Sequence, residues 1–452
     1  MKKQGTTNVL TMGTKLSYAV GNIGLQMLVA AMSFFLMIFY TDVALVPPAI
    51  AGAALLVGKV WDTINDPLFG WVADRTRSRH GRRRVYLIYG IIPLAIATAA
   101  VWMVPPGLDP IYAFLWVAIS YTLFDTMLTM VQIPYSALAA EMTRDYDERT
   151  SLSVTASFGA LGGYMLGSLL MPMLVQSAAD DASGYALAGA VFGIIAGASI
   201  GWVAWHVKEP ALDKLRKQSS PPWRVVRAAL RNRPFVMLVL ATGLVRLGLT
   251  LVQAALAYYI IYQLQGSKSD LPQLITILLC VVGMTMYVWK RLVDLWEKNF
   301  AYIVGLSCSV IGLTSLYWIE PGQENILMGM LVVIGIGMGS HWVVPFSMIP
   351  DTVDHGHMQE GERRSGVYMG LYGLIDKIAR TVATVSMAAI LELSGYVPNV
   401  AQTPEALQGI RLAAGPLPAL CLALAIPLLL VYPITRARHA DLKQALDSSG
   451  AQ

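Results

Sequence analysis

The sequence predicts an all-α integral membrane protein that crosses the bilayer twelve times. Its 452 residues are 56% hydrophobic and only 13% charged, and the mean hydropathy is +0.56. Because soluble domains carry roughly a quarter charged residues, most of this chain must be embedded in lipid. The first apolar run extends from about Leu16 to Tyr40. That run is too long for the core of a signal peptide and indicates a retained membrane helix.

Twelve apolar stretches are long enough to span a bilayer, which takes about 20 helical residues. Many of them contain Gly and Pro, which membrane helices tolerate. We place the spans near 15–41, 50–73, 85–105, 110–140, 151–176, 184–206, 234–264, 271–291, 301–319, 324–350, 364–394 and 410–435.

Basic residues concentrate in alternate loops. They occupy the loop after span two, the long loop 207–233, the loop after span eight and the C-terminal tail. By the positive-inside rule these loops and both termini are cytoplasmic. We interpret the basic loops as topology signals, not as nucleic-acid sites, and expect a monomer in a bacterial inner membrane, surrounded by lipid.

The long loop divides the chain into two halves of six spans. We predict an N-terminal bundle at 1–206, a cytoplasmic linker at 207–233, and a C-terminal bundle with its tail at 234–452. The halves also repeat, since Pro134-Tyr135-Ser136 after span four matches Pro345-Phe346-Ser347 after span ten. Paired halves are common in secondary transporters, with the site near the midplane.

Span two carries several costly polar residues. Asp62 and Asp66 are four residues apart and share one helix face, with Lys59 nearby. A charge at membrane depth costs about 3 kcal/mol on insertion scales. Carboxylates, the neighbouring Asn65 amide and a hydroxyl are ligands of the kind that a hard cation needs. The alternative is a structural ion pair between Lys59 and one aspartate, which leaves the second carboxylate unexplained.

Span seven and span eleven hold further charges. Arg246 lies in span seven, and Asp376, Lys377 and Arg380 lie on neighbouring faces of span eleven. The planar arginine fork suits a carboxylate or phosphate, so one interpretation is an anionic solute: a hexuronide, a sulfonated sugar or a phospholipid headgroup. The alternative, which stays open here, is that Asp376 or Asp125 pairs with an arginine inside the bundle.

Several functional classes are excluded. We find no Gly-rich phosphate loop and no nucleophile elbow, so neither an ATP-driven pump nor an enzyme is indicated. Cys280, Cys308 and Cys421 show no CxxC spacing, and we predict no bound cofactor.

Short motifs resemble a known family. The stretch Asp74-Arg75-Thr76-Arg77-Ser78-Arg79-His80-Gly81-Arg82-Arg83 resembles a loop of the major facilitator superfamily. Trp61-Asp62-Thr63-Ile64-Asn65-Asp66-Pro67 and Gln132-Ile133-Pro134-Tyr135-Ser136 resemble the melibiose-permease-like glycoside–pentoside–hexuronide:cation symporters. The resemblance implies a major facilitator fold with two pseudo-symmetric halves. It also implies import of a sugar or glycoside with Na⁺, H⁺ or Li⁺ by alternating access.

The resemblance also implies residue roles. The cation-binding residues would be Asp62, Asp66, Asn65 and Thr129, with Lys377 and Lys59 in coupling. Intact Asn65 and Thr129 favour Na⁺. The acidic sugar-binding positions of the melibiose-permease type are Gln26 and Gln132 here, and a Gln amide still exchanges hydrogen bonds with hydroxyls. The predicted solute-binding set is Gln26, Gln132, Trp342, Lys377, Arg246, Arg380 and Tyr372.

Two alternatives remain. The chain is also similar to sodium-coupled lysophospholipid symporters, through Tyr18-Ala19-Val20-Gly21 and the glutamine in span one. A non-transporting receptor or scaffold is the alternative of another class, but it has no use for charges at membrane depth. For a transporter, we expect a cytoplasmic gate whose members pair across the halves in the outward-facing state. They are Asp74, Arg75, Glu141, Arg149, Asp351 and Arg363.

Overall fold

The structure is a computed structural model and describes residues 10–143, 146–207, 209, 222–266, 270–360, 365–436 and 438. Its long elements are helices. In chain order they are α1 (Met12–Ile38), α2 (Pro48–Arg75), α3 (Arg84–Val101), α4 (Pro110–Met142), α5 (Tyr146–Gln176), α6 (Asp181–His206), α7 (Pro222–Arg231), α8 (Arg233–Tyr258), α9 (Asp270–Leu295), α10 (Lys298–Ser315), α11 (Glu324–Glu360), α12 (Ser365–Leu393), α13 (Pro404–Ala414) and α14 (Pro416–Leu430).

Ten helical segments within the described ranges are long and apolar enough to cross a membrane, with α13 and α14 together forming the last. The two remaining long helices, α2 and α12, have 28 and 29 residues. Each carries charges near its middle, which lowers its hydropathy. The all-α fold with twelve long segments is confirmed, and α2 and α12 carry most of the charged candidate residues.

Outward helix faces are apolar, as lipid requires. On α3, Tyr89, Ile92 and Ile96 are more than half exposed, whereas Leu87 and Leu94 are fully buried. Water would disfavour such a continuous exposed stripe. The face therefore fits contact with hydrocarbon.

The chain divides into two compact units, Met1–Leu215 and Arg216–Gln452. In the first, α1 packs on α5 and α6, α3 packs on α4 and α6, and α2 packs on α4. In the second, α8 packs on α12 and α14, α10 packs on α11 and α14, and α9 packs on α11. The two units thus share one pattern of helix packing, as the repeated motifs predict.

A local irregularity is repeated as well. A π-helical turn follows the first long helix of each unit, at Phe39–Val43 after α1 and at Tyr259–Gln263 after α8. Each turn is followed by a non-glycine residue with positive φ, Leu45 at 54° and Gln265 at 53°. Positive φ is uncommon for such residues. Its recurrence at matching positions supports duplication of one six-helix unit.

Glycines on α5 bring it against the backbone of α1. A Cβ on Gly159, Gly163 or Gly167 would overlap the carbonyl oxygens of successive turns of α1. Small residues spaced by four allow helix backbones in membranes to approach closely. At these three positions the backbones of α1 and α5 are in direct contact, with no side chain between them.

Two predicted span boundaries differ from the helix boundaries in the structure. The last span begins at Pro404 and breaks at Gly415, where the backbone leaves the helical region (φ −123°, ψ −83°). Pro416 has no N–H to continue the hydrogen-bond ladder across this break. Helix α11 runs on to Glu360 instead of ending near residue 350, despite Pro345 and Pro350 inside it.

The start of α3 is capped by a residue from beyond α6. The Glu209 carboxylate accepts hydrogen bonds from the backbone N–H groups of Arg82 at 3.0 Å, Arg83 at 2.9 Å and Arg84 at 3.2 Å. Gly81 has φ 101°, and a Cβ there would overlap this carboxylate. Glu209 thus satisfies N–H groups that the helix itself leaves unpaired.

Replacing this cap should destabilise the protein. We expect Glu209→Ala to lower the free energy of unfolding by about 1 kcal/mol, as loss of a helix cap does, and thermal unfolding in detergent would measure it. The control is Glu405→Ala, an exposed first-turn glutamate of α13. Equal melting temperatures for the two variants would contradict the capping role.

Candidate functional site

Helices α2 and α4 meet through polar side chains along the middle of the first unit. The contacts run in register along both helices. They are Lys59 Nζ over the ring of Tyr121 at 5.2 Å, Trp61 Nε1 to Thr126 Oγ1 at 2.9 Å, and Thr129 Oγ1 to Asp66 Oδ1 at 3.2 Å. The predicted partnership of Thr129 with an aspartate of α2 is present in the structure.

Among the polar residues between α2 and α4, Asn65 is the most informative. It is fully buried, and neither its Oδ1 nor its Nδ2 has a hydrogen-bond partner among the described residues. Leaving a buried amide unpaired costs roughly 1–3 kcal/mol. Since Asp62 is buried within one turn of it and Asp66 is its neighbour, the amide oxygen stands where a cation ligand is expected.

The donor set at this position is mixed. No group of three or more His, Cys, Asp and Glu side chains is arranged to hold a metal in the described part of the chain. The available ligands are instead the Asp62 and Asp66 carboxylates, the Asn65 amide oxygen and the Thr129 hydroxyl. Such oxygens fit a hard cation.

In the second unit, Asp376 bridges two arginines. Arg246 Nε donates to Asp376 Oδ1 at 2.5 Å, and Arg380 Nε donates to Asp376 Oδ2 at 2.8 Å. The Arg246 and Asp376 side chains are 18% exposed and that of Arg380 is 34% exposed. The ion-pair alternative therefore holds for Asp376, which uses one oxygen on each guanidinium.

The predicted solute-binding residues fall in both units. Gln26 on α1 and Gln132 on α4 are half-buried in the first unit. In the second unit, Tyr372 is buried on α12 and shares a side-chain hydrogen bond with Arg246. Trp342 on α11 and Lys377 on α12 are half-buried. The structure thus brings together Tyr372 and the two arginines of the predicted set.

A histidine that the sequence analysis did not single out belongs to the same region. His341 Nδ1 lies 2.6 Å from the hydroxyl of Tyr302, and both residues are at least 97% buried. Its Nε2 has no hydrogen-bond partner among the residues described. The available signal was its position in mid-span beside Trp342, since an ionisable residue at membrane depth is a functional candidate.

Two predicted gate acids pair inside their own units. Glu141 accepts from Arg82 at 2.5 Å and from Arg83 at 3.2 Å, and Asp351 accepts from Lys298 at 2.6 Å. Both acids follow a repeated Pro-aromatic-Ser motif. Glu141 joins the end of α4 to the segment that leads into α3, and Asp351, in the last third of α11, joins that helix to the start of α10.

The remaining predicted gate residues provide no evidence for or against pairing across the halves. The Arg75 guanidinium lies over the ring of Trp71 in its own helix, 4.0 Å from the centroid. The side chains of Asp74 and Arg149, and the whole of Arg363, lie outside the described residues. Pairing across the halves stays a prediction.

Two similar helical units, with buried ionisable groups at mid-helix, define a secondary transporter. The chain belongs to the MFS/sugar transport protein family, whose model matches residues 17–436. It is a multi-pass membrane transporter, a cation-coupled symporter for a small-molecule solute, and not an enzyme.

Relatives match along almost the whole chain. An uncharacterised symporter of Synechocystis sp. is 28% identical over 96% of both chains. The glucuronide carrier protein homolog of Escherichia coli is 27% identical, covering 97% of this chain and 96% of the relative. The sodium-dependent lysophosphatidylcholine symporter 1-A of Danio rerio is 25% identical, covering 97% of this chain and 88% of the relative.

A solved structure has the same fold. The crystal structure of a bacterial homolog to the human lysosomal transporter Spinster superposes with a TM-score of 0.69. The match covers 93% of this chain and 95% of that chain at 12% identity. At this identity the likeness shows the fold alone.

The Asp376 bridge should be a strong contributor to stability. We expect Asp376→Ala to lower the free energy of unfolding by roughly 3 kcal/mol, because it leaves the mostly buried Arg246 guanidinium without its carboxylate, whereas Arg380, 34% exposed, is partly solvated. Chemical unfolding of the purified protein in detergent would measure this. Glu324→Ala, at an exposed acid of the same unit, should change it by less than about 0.5 kcal/mol. A similar loss in both variants would contradict the bridging role.

Proposed function

We propose that this symporter uses Na⁺ to import a sugar or glycoside across a bacterial inner membrane, with both termini in the cytoplasm. Alternate basic loops support the orientation. The family description and the glucuronide carrier relative support a sugar-type solute. The site residues support the choice of ion.

The observation that carries the sodium proposal is the buried, unpartnered amide of Asn65. A proton requires one carboxylate, whereas a sodium ion requires several oxygen ligands. Asn65 and Thr129 offer neutral oxygens beside Asp62 and Asp66, which a bound metal cation uses and a proton does not. The relative from Danio rerio is itself sodium-dependent by name.

The predicted solute contacts favour a sugar over an amphiphile. Gln26 and Gln132 exchange hydrogen bonds with hydroxyls, and an aromatic ring such as Trp342 stacks on the apolar face of a sugar. A lysophospholipid needs an apolar path for its acyl chain, and the predicted solute-binding set consists only of polar, charged and aromatic residues. Lysophosphatidylcholine is nevertheless one arm of the test.

Coupling follows from the position of the charges. Sodium binding at Asp62 and Asp66 neutralises carboxylates in the first unit and raises the affinity for solute. The solute must raise the affinity for sodium by the same factor, since coupling is a shared free energy. Lys377, on the charged helix of the second unit, is the proposed link between ion and solute. The loaded halves then rock and release both ligands inside.

Sodium affinity should depend on the neutral ligands. We expect Asn65→Ala and Thr129→Val each to raise the Na⁺ concentration for half-maximal thermal stabilisation roughly tenfold, the loss of one good polar contact. Choline chloride keeps ionic strength constant. Thr98→Val is the matched control, because Thr98 is a fully buried threonine of the same unit whose hydroxyl bonds its own helix. An unchanged Na⁺ response in Asn65→Ala would remove the main support for sodium.

Uptake by proteoliposomes tests the transport proposal. Labelled glycosides and lysophosphatidylcholine are compared under an inward Na⁺ gradient, a pH gradient or neither. Asp62→Cys and Asp66→Cys should abolish sodium-driven uptake. Uptake driven by the pH gradient alone would overturn the choice of ion, and sodium-driven uptake of the lysolipid alone would overturn the choice of solute.

A further inference from the structure

The second unit holds more positive than negative charge around His341. Arg246 from α8 and Arg380 from α12 act on this histidine, and both pair with the carboxylate of Asp376. Two guanidinium groups share one carboxylate, so these three side chains together carry a charge of +1. Net charge at membrane depth is costly, so a further negative group is expected when the site is in use.

Arg380 offers the means to hold that group. Its Nε donates to Asp376, while its two terminal nitrogens have no partner among the described residues. The side chain is 34% exposed, more than those of its two partners. Because the arginine fork binds carboxylates through two parallel hydrogen bonds, the open edge of Arg380 is suited to an oxyanion.

His341 is the second, independent sign of a ligand. It is 3% exposed, and its Nδ1 is held by Tyr302, itself fully buried. The Nε2 atom is buried without a partner. In either tautomer that nitrogen is a donor or an acceptor whose hydrogen bond is unmade, and leaving it so is costly.

We infer that Arg380 and His341 form an anion subsite in the second unit, which binds the carboxylate of an acidic sugar or glycoside. This inference rests on the proposed function for the sugar and goes beyond it by assigning the charge and its site. Asp376 is a positioning residue that holds Arg380 through Nε and leaves its terminal edge open. Tyr302 likewise fixes the ring of His341.

Charge balance selects the class of ligand. One carboxylate brings the group of Arg246, Arg380 and Asp376 to neutrality. A phosphocholine headgroup carries no net charge and leaves the excess in place. A neutral sugar accepts hydrogen bonds from the arginine fork but supplies no negative charge. A singly charged carboxylate therefore fits the subsite better than either.

Matched solutes test the subsite directly. Methyl glucuronide and methyl glucoside differ only by carboxylate against hydroxymethyl, as do the corresponding galactose compounds. Binding of each to the full-length protein in nanodiscs is measured at saturating Na⁺ and with choline in place of Na⁺, with lysophosphatidylcholine and inorganic phosphate as further probes. We expect the acidic member of at least one pair to bind about tenfold more tightly than its neutral partner.

Variants then assign the preference to residues. Arg380→Gln should lower affinity for the acidic sugar roughly tenfold to a hundredfold and leave affinity for the neutral sugar within about twofold. His341→Asn should act in the same direction by a smaller factor. Arg291→Gln is the matched control, because Arg291 is an exposed arginine of the same unit that contacts Tyr287, and it should change neither affinity.

The outcomes separate this inference from the proposed function. Equal affinity for both members of every pair, or a preference that survives Arg380→Gln, overturns the subsite. Tighter binding of phosphate or lysophosphatidylcholine than of any sugar acid also overturns it. Preference for the acidic sugar without any response to Na⁺ supports the subsite and overturns sodium coupling. If Arg380→Gln does not fold, Arg380→Lys keeps the charge without the fork and should still lose most of the preference.

Discussion

Ionised side chains within a bilayer must find partners inside the protein, because hydrocarbon solvates neither charge nor dipole. This requirement governs the two long helices with charges near their middle, α2 and α12. Helix α2 turns its polar stripe to α4, where Thr129 reaches Asp66, and α12 turns Asp376 between Arg246 and Arg380. The packing of each unit therefore places chemically useful groups in its interior. The buried polar atoms of Asn65 and His341 that lack hydrogen-bond partners among the described residues are the basis of the two proposed sites.

Duplication gives both units one scaffold with different contents. Corresponding helix pairs pack together in each unit, and a π-helical turn follows both α1 and α8. The polar residues inside the two units nevertheless differ. The first unit holds the carboxylates of Asp62 and Asp66 beside neutral oxygens, whereas the second holds Arg246, Arg380 and His341. The two proposals therefore assign a cation site to one half and an anion site to the other, on one common pattern of helix packing.

Much of the architecture could be predicted from sequence, because span length and hydropathy are local properties. The charges of α2 and α12 were also visible, since they interrupt apolar runs. The sequence left open whether Asp376 pairs with an arginine. In the structure it pairs with Arg246, 130 residues away in the chain, and with Arg380, one helical turn away. Tyr302 with His341, and Glu209 with the start of α3, depend on contacts between distant segments. No periodicity reveals those contacts, and the break at Gly415 depends on local backbone geometry.

The glycine contact between α5 and α1 has a mechanical consequence. Where two backbones touch directly, no rotamer change can take up a displacement, and any added methyl group forces the helices apart. Helices α1 and α5 are therefore expected to move as one rigid unit. The helix movements of a transport cycle must therefore occur at other contacts. Substitutions at Gly159, Gly163 and Gly167 would loosen the packing of α1 on α5 without changing a ligand-binding residue.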